Sequence, residues 1–306
     1  MRHKKISESP NKEHSGVWGA RSWFERQAQS TKNSPASYFS HSINGYQRFR
    51  HDFLARYLGT YLYQKEVKCV LDIGCAQGDF LSKVVGKTNA EKAIGLDFIM
   101  KVVQDGRKKY PNFNFIVSEL PEIPAEDGKI DLVIASEVLY YLSESDRKIA
   151  IDNIYRVLDP EGILFFTSAL GGNYFTQQSS LNLIEQSFHC IKIDYLHSKL
   201  YNKLLEIPFN IVRFSDMILN DEVPGNKSFY RIYSNLKLIF NNNIGKLILR
   251  SMSYPFSKMI ANVHIPSICE RIASFLGQSY QSNIIILAKP KINLSEESYC
   301  DCNTNN

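Results

Sequence analysis

The chain has 306 residues, of which 44% are apolar and 22% charged, and its formal net charge is +5. This composition excludes a disordered or fibrous protein, and a chain of this length can bury a core without disulfide staples. The modest charge does not demand a nucleic-acid partner, and no apolar run approaches the ~20 residues that span a bilayer.

Residues 1–35 are rich in Ser, Lys, Asn, Gln and Glu. They are expected to be disordered, with Trp18, Trp23 and Phe24 as aromatic anchors available to dock on the fold. The N-terminus lacks the apolar core of a signal peptide. With no span and no disulfide framework, the expected location is the cytoplasm. Six cysteines are scattered. Cys69, Cys75 and Cys190 lie in or beside strand-like runs and read as small buried apolar groups. Cys300 and Cys302 lie in a polar tail with no further ligands close in sequence, so no metal site is expected.

From Tyr38 to Tyr63 apolar and aromatic residues recur at helical spacing (Phe39, Tyr46, Phe49, Phe53, Leu54, Tyr57, Leu58, Tyr61), which predicts one or two amphipathic helices. The rhythm then changes to short apolar runs alternating with helical stretches. Strands are predicted at 68–73, 93–97, 113–117, 130–136, 162–168 and 190–196. Helices are predicted at 79–85, 100–109, 145–157 and 181–188. Such alternation means βαβ units, a parallel sheet and helices on both faces. After His197 about eighty residues look helical, with breaks near 220–226, at 241–243 and near Pro255. The run SNIIILA (282–288) then returns as a last strand.

One stretch carries chemistry. In VLDIGCAQGDF (70–80) an apolar strand ends in Asp72-x-Gly74-x-x-x-Gly78, and a helix starts at once. The glycines permit a tight turn and close approach of the backbone to a ligand, at the strand ends where ligands bind in open α/β sheets. The spacing is not the G-x-G-x-x-G that cradles a pyrophosphate. About twenty residues on, the second strand ends in Asp97, a carboxylate placed to accept both ribose hydroxyls, and Phe98 beside it can stack on an adenine. Glu119 follows the third strand and can accept the adenine amino group. The set describes a pocket for a nucleoside without phosphates.

These residues resemble the class I, Rossmann-like S-adenosylmethionine (SAM)-dependent methyltransferases, chiefly the group acting on small molecules, over roughly 69–168 and the last strand. The resemblance implies a seven-stranded α/β sheet with helices on both faces, N-terminal helices, a helical insertion before the last strand, and SAM as cofactor. It implies cofactor binding by Asp72, Gly74, Ala76, Gly78, Asp97, Phe98, Glu119, Leu120 and Ser136. It implies a methyltransferase domain over 36–197 plus 282–290, an inserted lid over 198–281 and a disordered tail from 291. The segment SEVLYYL (136–142) is similar to the same place in nodulation-type N-methyltransferases of sugars. Tyr140 and Tyr141 stand where metal-dependent RNA-terminal methyltransferases carry Glu and His, so metal chemistry is not expected.

Methyl transfer is an in-line displacement in which alignment does much of the work. An oxygen or ammonium acceptor must also lose a proton to a base. Candidates for the catalytic end are His197 at the tip of the sixth strand, Glu137 as base or cofactor-side orienter, and Tyr140 as a pocket residue. Tyr46 and His51 are candidates to close over the cofactor.

Because the sixth strand ends at the cofactor edge and an antiparallel last strand starts there, the insertion is expected to roof the acceptor site. From Lys199 to Tyr280 it has ten Lys or Arg against five Asp or Glu. It reads as a helical cap with a solvated basic face, or as an interfacial surface for a lipid-linked or anionic acceptor. The expected activity is methylation of an oxygen or nitrogen on a small molecule or glycan intermediate. The alternatives are a protein or RNA methyltransferase using the basic insertion, and a silent fold that only binds a partner. Nothing in the sequence sets the oligomeric state.

Overall fold

The computed structural model of the chain describes residues 24–25, 27–28, 34–35, 41–171, 174–220 and 227–291. Most of 1–35 and all of the tail beyond Lys291 lie outside the described residues, so the expectations for Trp18, Trp23, Phe39, Cys300 and Cys302 fall there too.

Helix α1 (Gly45–Tyr61) leads into β1 (Cys69–Ile73), α2 (Asp79–Thr88), β2 (Lys92–Asp97), α3 (Met100–Lys109), β3 (Asn114–Val117) and β4 (Ile130–Ser136). Then come α4 (Glu144–Val157), β5 (Leu158–Ala169), α5 (Gln177–Ile184) and β6 (Phe188–Leu196). Four helices follow, α6 (Lys199–Leu219), α7 (Lys227–Phe240), α8 (Asn243–Ala261) and α9 (His264–Leu276), and β7 (Asn283–Pro290) closes the fold. The strands form one seven-stranded sheet in the order β3-β2-β1-β4-β5-β7-β6. β7 is antiparallel to both neighbours, and the remaining pairs are parallel. This is the sheet the sequence predicted.

Period-2 alternation splits the core between the two faces of the sheet. Val133 and Ala135 of β4, with Ile284 and Ile286 of β7, pack on one face with Ile151 and Ile154 of α4 and Ile184 of α5. Leu132 and Ile134, with Ile285 and Leu287, pack on the other with Leu54 and Leu58 of α1 and Leu81 and Val84 of α2. β1 is buried at all five positions, as a central parallel strand covered on both sides must be.

Three local expectations are corrected. Helix α5 starts and ends four residues earlier than its apolar run suggested, because Thr176 and Ser179 form a capping box there. Phe188 instead opens β6 and is fully buried. β5 begins at Leu158, where it pairs with Ile130 before a register shift. Pro255 does not break the insertion, since α8 runs through it with that residue exposed at the surface. A proline removes one helical hydrogen bond, and the other residues of this long helix hold it together. The break falls at Asn262, whose Oδ1 accepts from the His264 amide at 2.8 Å.

The insertion leaves and returns at one point. Leu196 pairs with Asn283, and the Ser282 amide donates to the Leu196 carbonyl at 2.8 Å. Ser198 and Ser282 join their hydroxyls at 2.6 Å, and the Ser198 amide donates to the Ser282 hydroxyl at 2.9 Å. Since β6 is parallel to β5, this neck sits at the carboxyl edge of the sheet, beside the tips of β4 and β5.

Two glycines give opposite predictions. A Cβ at Gly95 would lie 2.7 Å from the Cys75 sulfur and 2.9 Å from the Phe115 ring, so Gly95→Ala should cost about 1–3 kcal/mol in chemical denaturation. A Cβ at Gly86 in α2 would meet nothing within 4 Å, so Gly86→Ala should stabilise by about 0.5–1 kcal/mol.

Candidate functional site

The turn after β1 is stitched to the tip of β2. The Gly74 and Cys75 amides both donate to the Leu96 carbonyl, at 2.8 and 2.9 Å, and the Ala76 amide donates to Asp97 Oδ2 at 3.0 Å. Asp97 Oδ1 accepts from the Ile99 amide at 2.9 Å. Gly74, Ala76 and Gly78 take left-handed φ values of 74°, 50° and 81°. Glycine is required at the outer two for steric reasons as well: a Cβ at Gly74 would lie 2.6 Å from Val138, and one at Gly78 would lie 2.6 Å from the Phe115 ring.

Asp72 and Asp97 are both buried. Burial and the charge of Asp97 push Asp72 well above the usual carboxylate range. Burial raises Asp97 to about 6, against the amide bonds from Ile99 and Ala76 that favour its charge. Val117, the last residue of β3, pairs with Asp97, and the Ser118 amide donates to the Asp97 carbonyl at 3.2 Å. Glu119 and Leu120 therefore follow within two or three residues of the Asp97 tip. Leu120 is half-buried against the core. Cys75 is buried behind the turn with its thiol pushed well up by burial and by Asp72.

An aromatic wall borders this cleft. Phe24 is buried and packs edge-on to Phe98 at 5.9 Å and to Tyr141 at 5.0 Å, in a cluster with Ala76, Ile99 and Val102. One of the three anchors expected in the N-terminal segment thus meets the residue beside Asp97. Tyr140 stacks edge-on to Tyr174 at 4.8 Å. Arg147 donates to the carbonyls of Leu139 and Tyr140 and lies over the Phe175 ring at 4.6 Å, which fixes the turn that carries both tyrosines.

A second, polar cluster sits at the tips of β4, β5, β6 and β7. Glu137, with a left-handed φ of 58°, accepts from the Asn283 amide group at 2.9 Å, the Ala169 amide at 3.0 Å and the Thr167 hydroxyl at 3.3 Å. Arg50 of α1 adds an ion pair at 3.6 Å. The Glu137 carboxylate thereby joins four elements. Ser136 bonds Thr167 hydroxyl to hydroxyl at 2.9 Å.

Beside this cluster, His197 places Nδ1 3.0 Å from Glu270 of α9, and its backbone amide donates to both Glu270 oxygens at 2.9 Å. Tyr46 is half-buried, stacks on Tyr201 at 5.2 Å and bonds Ser198, and desolvation raises its phenol. His51 does not join this group. It is buried between Phe80 and His41, and burial holds it well below its usual range, so it stays neutral. Sequence reading missed Arg50, Asn283 and Glu270, since each meets its partner only across a long stretch of chain. Among the described residues no group of His, Cys, Asp or Glu is arranged to hold a metal.

The family model described as methyltransferase domain matches residues 70–162. Nodulation protein S of Rhizobium tropici is 30% identical over 134 residues, covering 42% of this chain and 54% of that protein. Malonyl-[acyl-carrier protein] O-methyltransferase 2 of Ilyobacter polytropus is 24% identical over 209 residues, covering 67% of this chain and 76% of that protein. The structure of N-methyltransferase NodS from Bradyrhizobium japonicum WM9 with S-adenosyl-L-homocysteine aligns at a TM-score of 0.47 and 21% identity, over 57% of this chain and 88% of that one. The chain spans about half the length of the first curated relatives it matches. Fold and sequence together define a class I, Rossmann-like methyltransferase domain. Residues 70–162 thus match the methyltransferase-domain family, and this part of the chain is similar to the nodulation-type proteins.

The residues fit SAM as cofactor. The Asp97 carboxylate accepts from the Ala76 and Ile99 amides, with the Phe98 amide also acting on it, and a carboxylate at this strand tip would suit a ribose hydroxyl. The raised carboxyls set a pH dependence of stability. A folded-state pKa above the unfolded value of about 3.9 stabilises the protein at low pH, and that contribution is lost as pH rises through the folded value. Stability should therefore fall between about pH 4 and 7, by an amount on the order of 3 kcal/mol from Asp97. Asp97→Asn should flatten the dependence of the denaturation midpoint in that window.

Proposed function

We propose that the chain transfers a methyl group from SAM to an oxygen or nitrogen of a small-molecule acceptor. The observation that carries this reading is the Asp97 carboxylate, held at the β2 tip against the glycine turn by the Ala76 amide. In this reading Asp97 takes the ribose, Phe98 and Leu120 flank the adenine and Glu119 meets its amino group. The backbone of Asp72 to Gly78 and Ser136 border the methionine moiety. The bound cofactor supplies an electrophilic sulfonium methyl.

The chain's own part is to align the acceptor and take its proton. Glu137 acts as a positioning residue, its carboxylate holding Arg50, Asn283, Ala169 and Thr167. His197 is the proposed base. An ionised Glu270 can only accept, so it fixes the neutral imidazole with its proton on Nδ1 and leaves the Nε2 lone pair for the acceptor proton. Tyr140 lines the acceptor side. Arg50 keeps one buried donor, Nε, without a protein partner, which suits a ligand carrying a carboxylate or phosphate group. The helices 198–281 form the roof over this end.

Two experiments test the reading. Calorimetry with SAM and S-adenosylhomocysteine should show saturable binding that weakens below about pH 6, as Asp97 protonates. Asp97→Ala should lower the affinity by tenfold or more; unchanged affinity in that variant removes the cofactor assignment. With an acceptor in hand, His197→Gln should reduce kcat by about 10²–10⁴-fold and leave cofactor affinity intact. Glu270→Gln should move the pH profile of kcat, an effect that loss of packing alone would not produce.

A further inference from the structure

Helix α8 is apolar on two sides. Gly245, Leu249, Ser253 and Ile260 are buried, and Leu249 packs with Ile218 of α6 and Tyr233 of α7. The opposite side carries Ile244, Leu247 and Met252, which are 74%, 64% and 61% exposed, with Ile248, Tyr254 and Met259 also open to solvent. At ~100° per residue these positions fall on one arc of about 160° that runs some 22 Å along the helix. The same arc also holds Ser251 and Lys258; one apolar side of the helix is covered and the other suits an apolar boundary.

The preceding corner extends the open surface. Leu238 and Ile239 at the end of α7 are 81% and 60% exposed. A Cβ on Gly245 would lie 2.6 Å from the Phe240 Cα, so the end of α7 and the start of α8 abut closely. Asn242 caps α8 by accepting from the Gly245 amide at 2.7 Å.

Charge identifies the occupant. From Lys227 to Cys269 there are six Lys or Arg and no Asp or Glu. Arg250 and Lys258 are exposed and Lys246 half-buried on α8. The acids of the neighbouring helices are Glu206 and Asp216 on α6 and Glu270 on α9, and α7 and α8 carry none. A second copy docked through the same face would set like charges together with no acid on α7 or α8 to meet them. No described helix is long and apolar enough to cross a membrane. An exposed apolar face with Lys258 within it and Arg250 beside it fits partial immersion in an anionic surface.

We propose that the α7–α8 corner and the outer face of α8 form a membrane-docking surface that seats the chain on anionic lipid. The surface is independent of the chemistry of the cleft.

Vesicle flotation tests it, with phosphatidylcholine alone and with about 30% phosphatidylglycerol added. The full chain should float with the anionic vesicles at low salt, at least tenfold more than with the neutral ones, and be released by high salt. Leu247→Ser with Met252→Ser should lower retention by tenfold or more. Lys246→Gln with Arg250→Gln should do the same without touching the apolar stripe. Ile149→Ser, an exposed control on α4, should float as the unaltered chain does. Calorimetry with S-adenosylhomocysteine should give equal affinity in every variant, which separates this proposal from the cofactor assignment. Equal binding to both vesicle types, binding to neither, or retention unchanged in either double variant overturns it. So does concentration-dependent dimerisation lost in those variants with no flotation.

Discussion

The site depends on one contact: the side chain of Asp97 holding the turn that follows β1. Its two oxygens accept from Ala76 and Ile99, so the end of β2, the glycine turn and the start of α3 are fixed together. The contact exists only because β1 and β2 pair in a register that sets Asp72 beside Gly95. Gly95 in turn must lack a side chain, because the Cys75 sulfur and the Phe115 ring occupy that space. A residue two positions before the functional acid thus determines whether the acid can reach the turn. Burial makes the carboxylate costly to ionise, and the turn amides recover part of that cost.

The strand, glycine turn and strand-tip acid of the candidate cofactor site were legible in the sequence because their determinants are local. A strand, a turn with glycines four apart and an acid at the next strand tip follow from short-range patterns. The polar half was not, because its pairs are distant along the chain. His197 and Glu270 are 73 residues apart, and Asn283 and Glu137 are 146 apart. Arg50 lies on a helix whose pattern gave its apolar face and nothing about the opposite strand tips. The same limit explains α5, where a Thr–Ser cap outweighed the apolar run, and Pro255, where one lost hydrogen bond was too small a penalty to stop a helix held along its length.

The four inserted helices gain their place from the neck. Ser282 bonds the Leu196 carbonyl, Ser198 and Asn283, and Asn283 bonds Glu137. The inserted helices are thereby tied to the strand tips by hydrogen bonds. Glu270 and Tyr201 reach from them toward His197 and Tyr46, so the proposed base and the packing of the inserted helices share side chains.

Glu137 sits in a backbone conformation that costs a non-glycine residue about 1 kcal/mol or more. A glycine would relax the chain there and forfeit every bond its carboxylate makes. The residue behaves as a rivet, a local distortion kept because the head it presents clamps β5, β7 and α1 to β4. A shift of the N-terminal helix or of the inserted layer would pull on this fastening, so motion on either flank of the molecule reaches the same strand end.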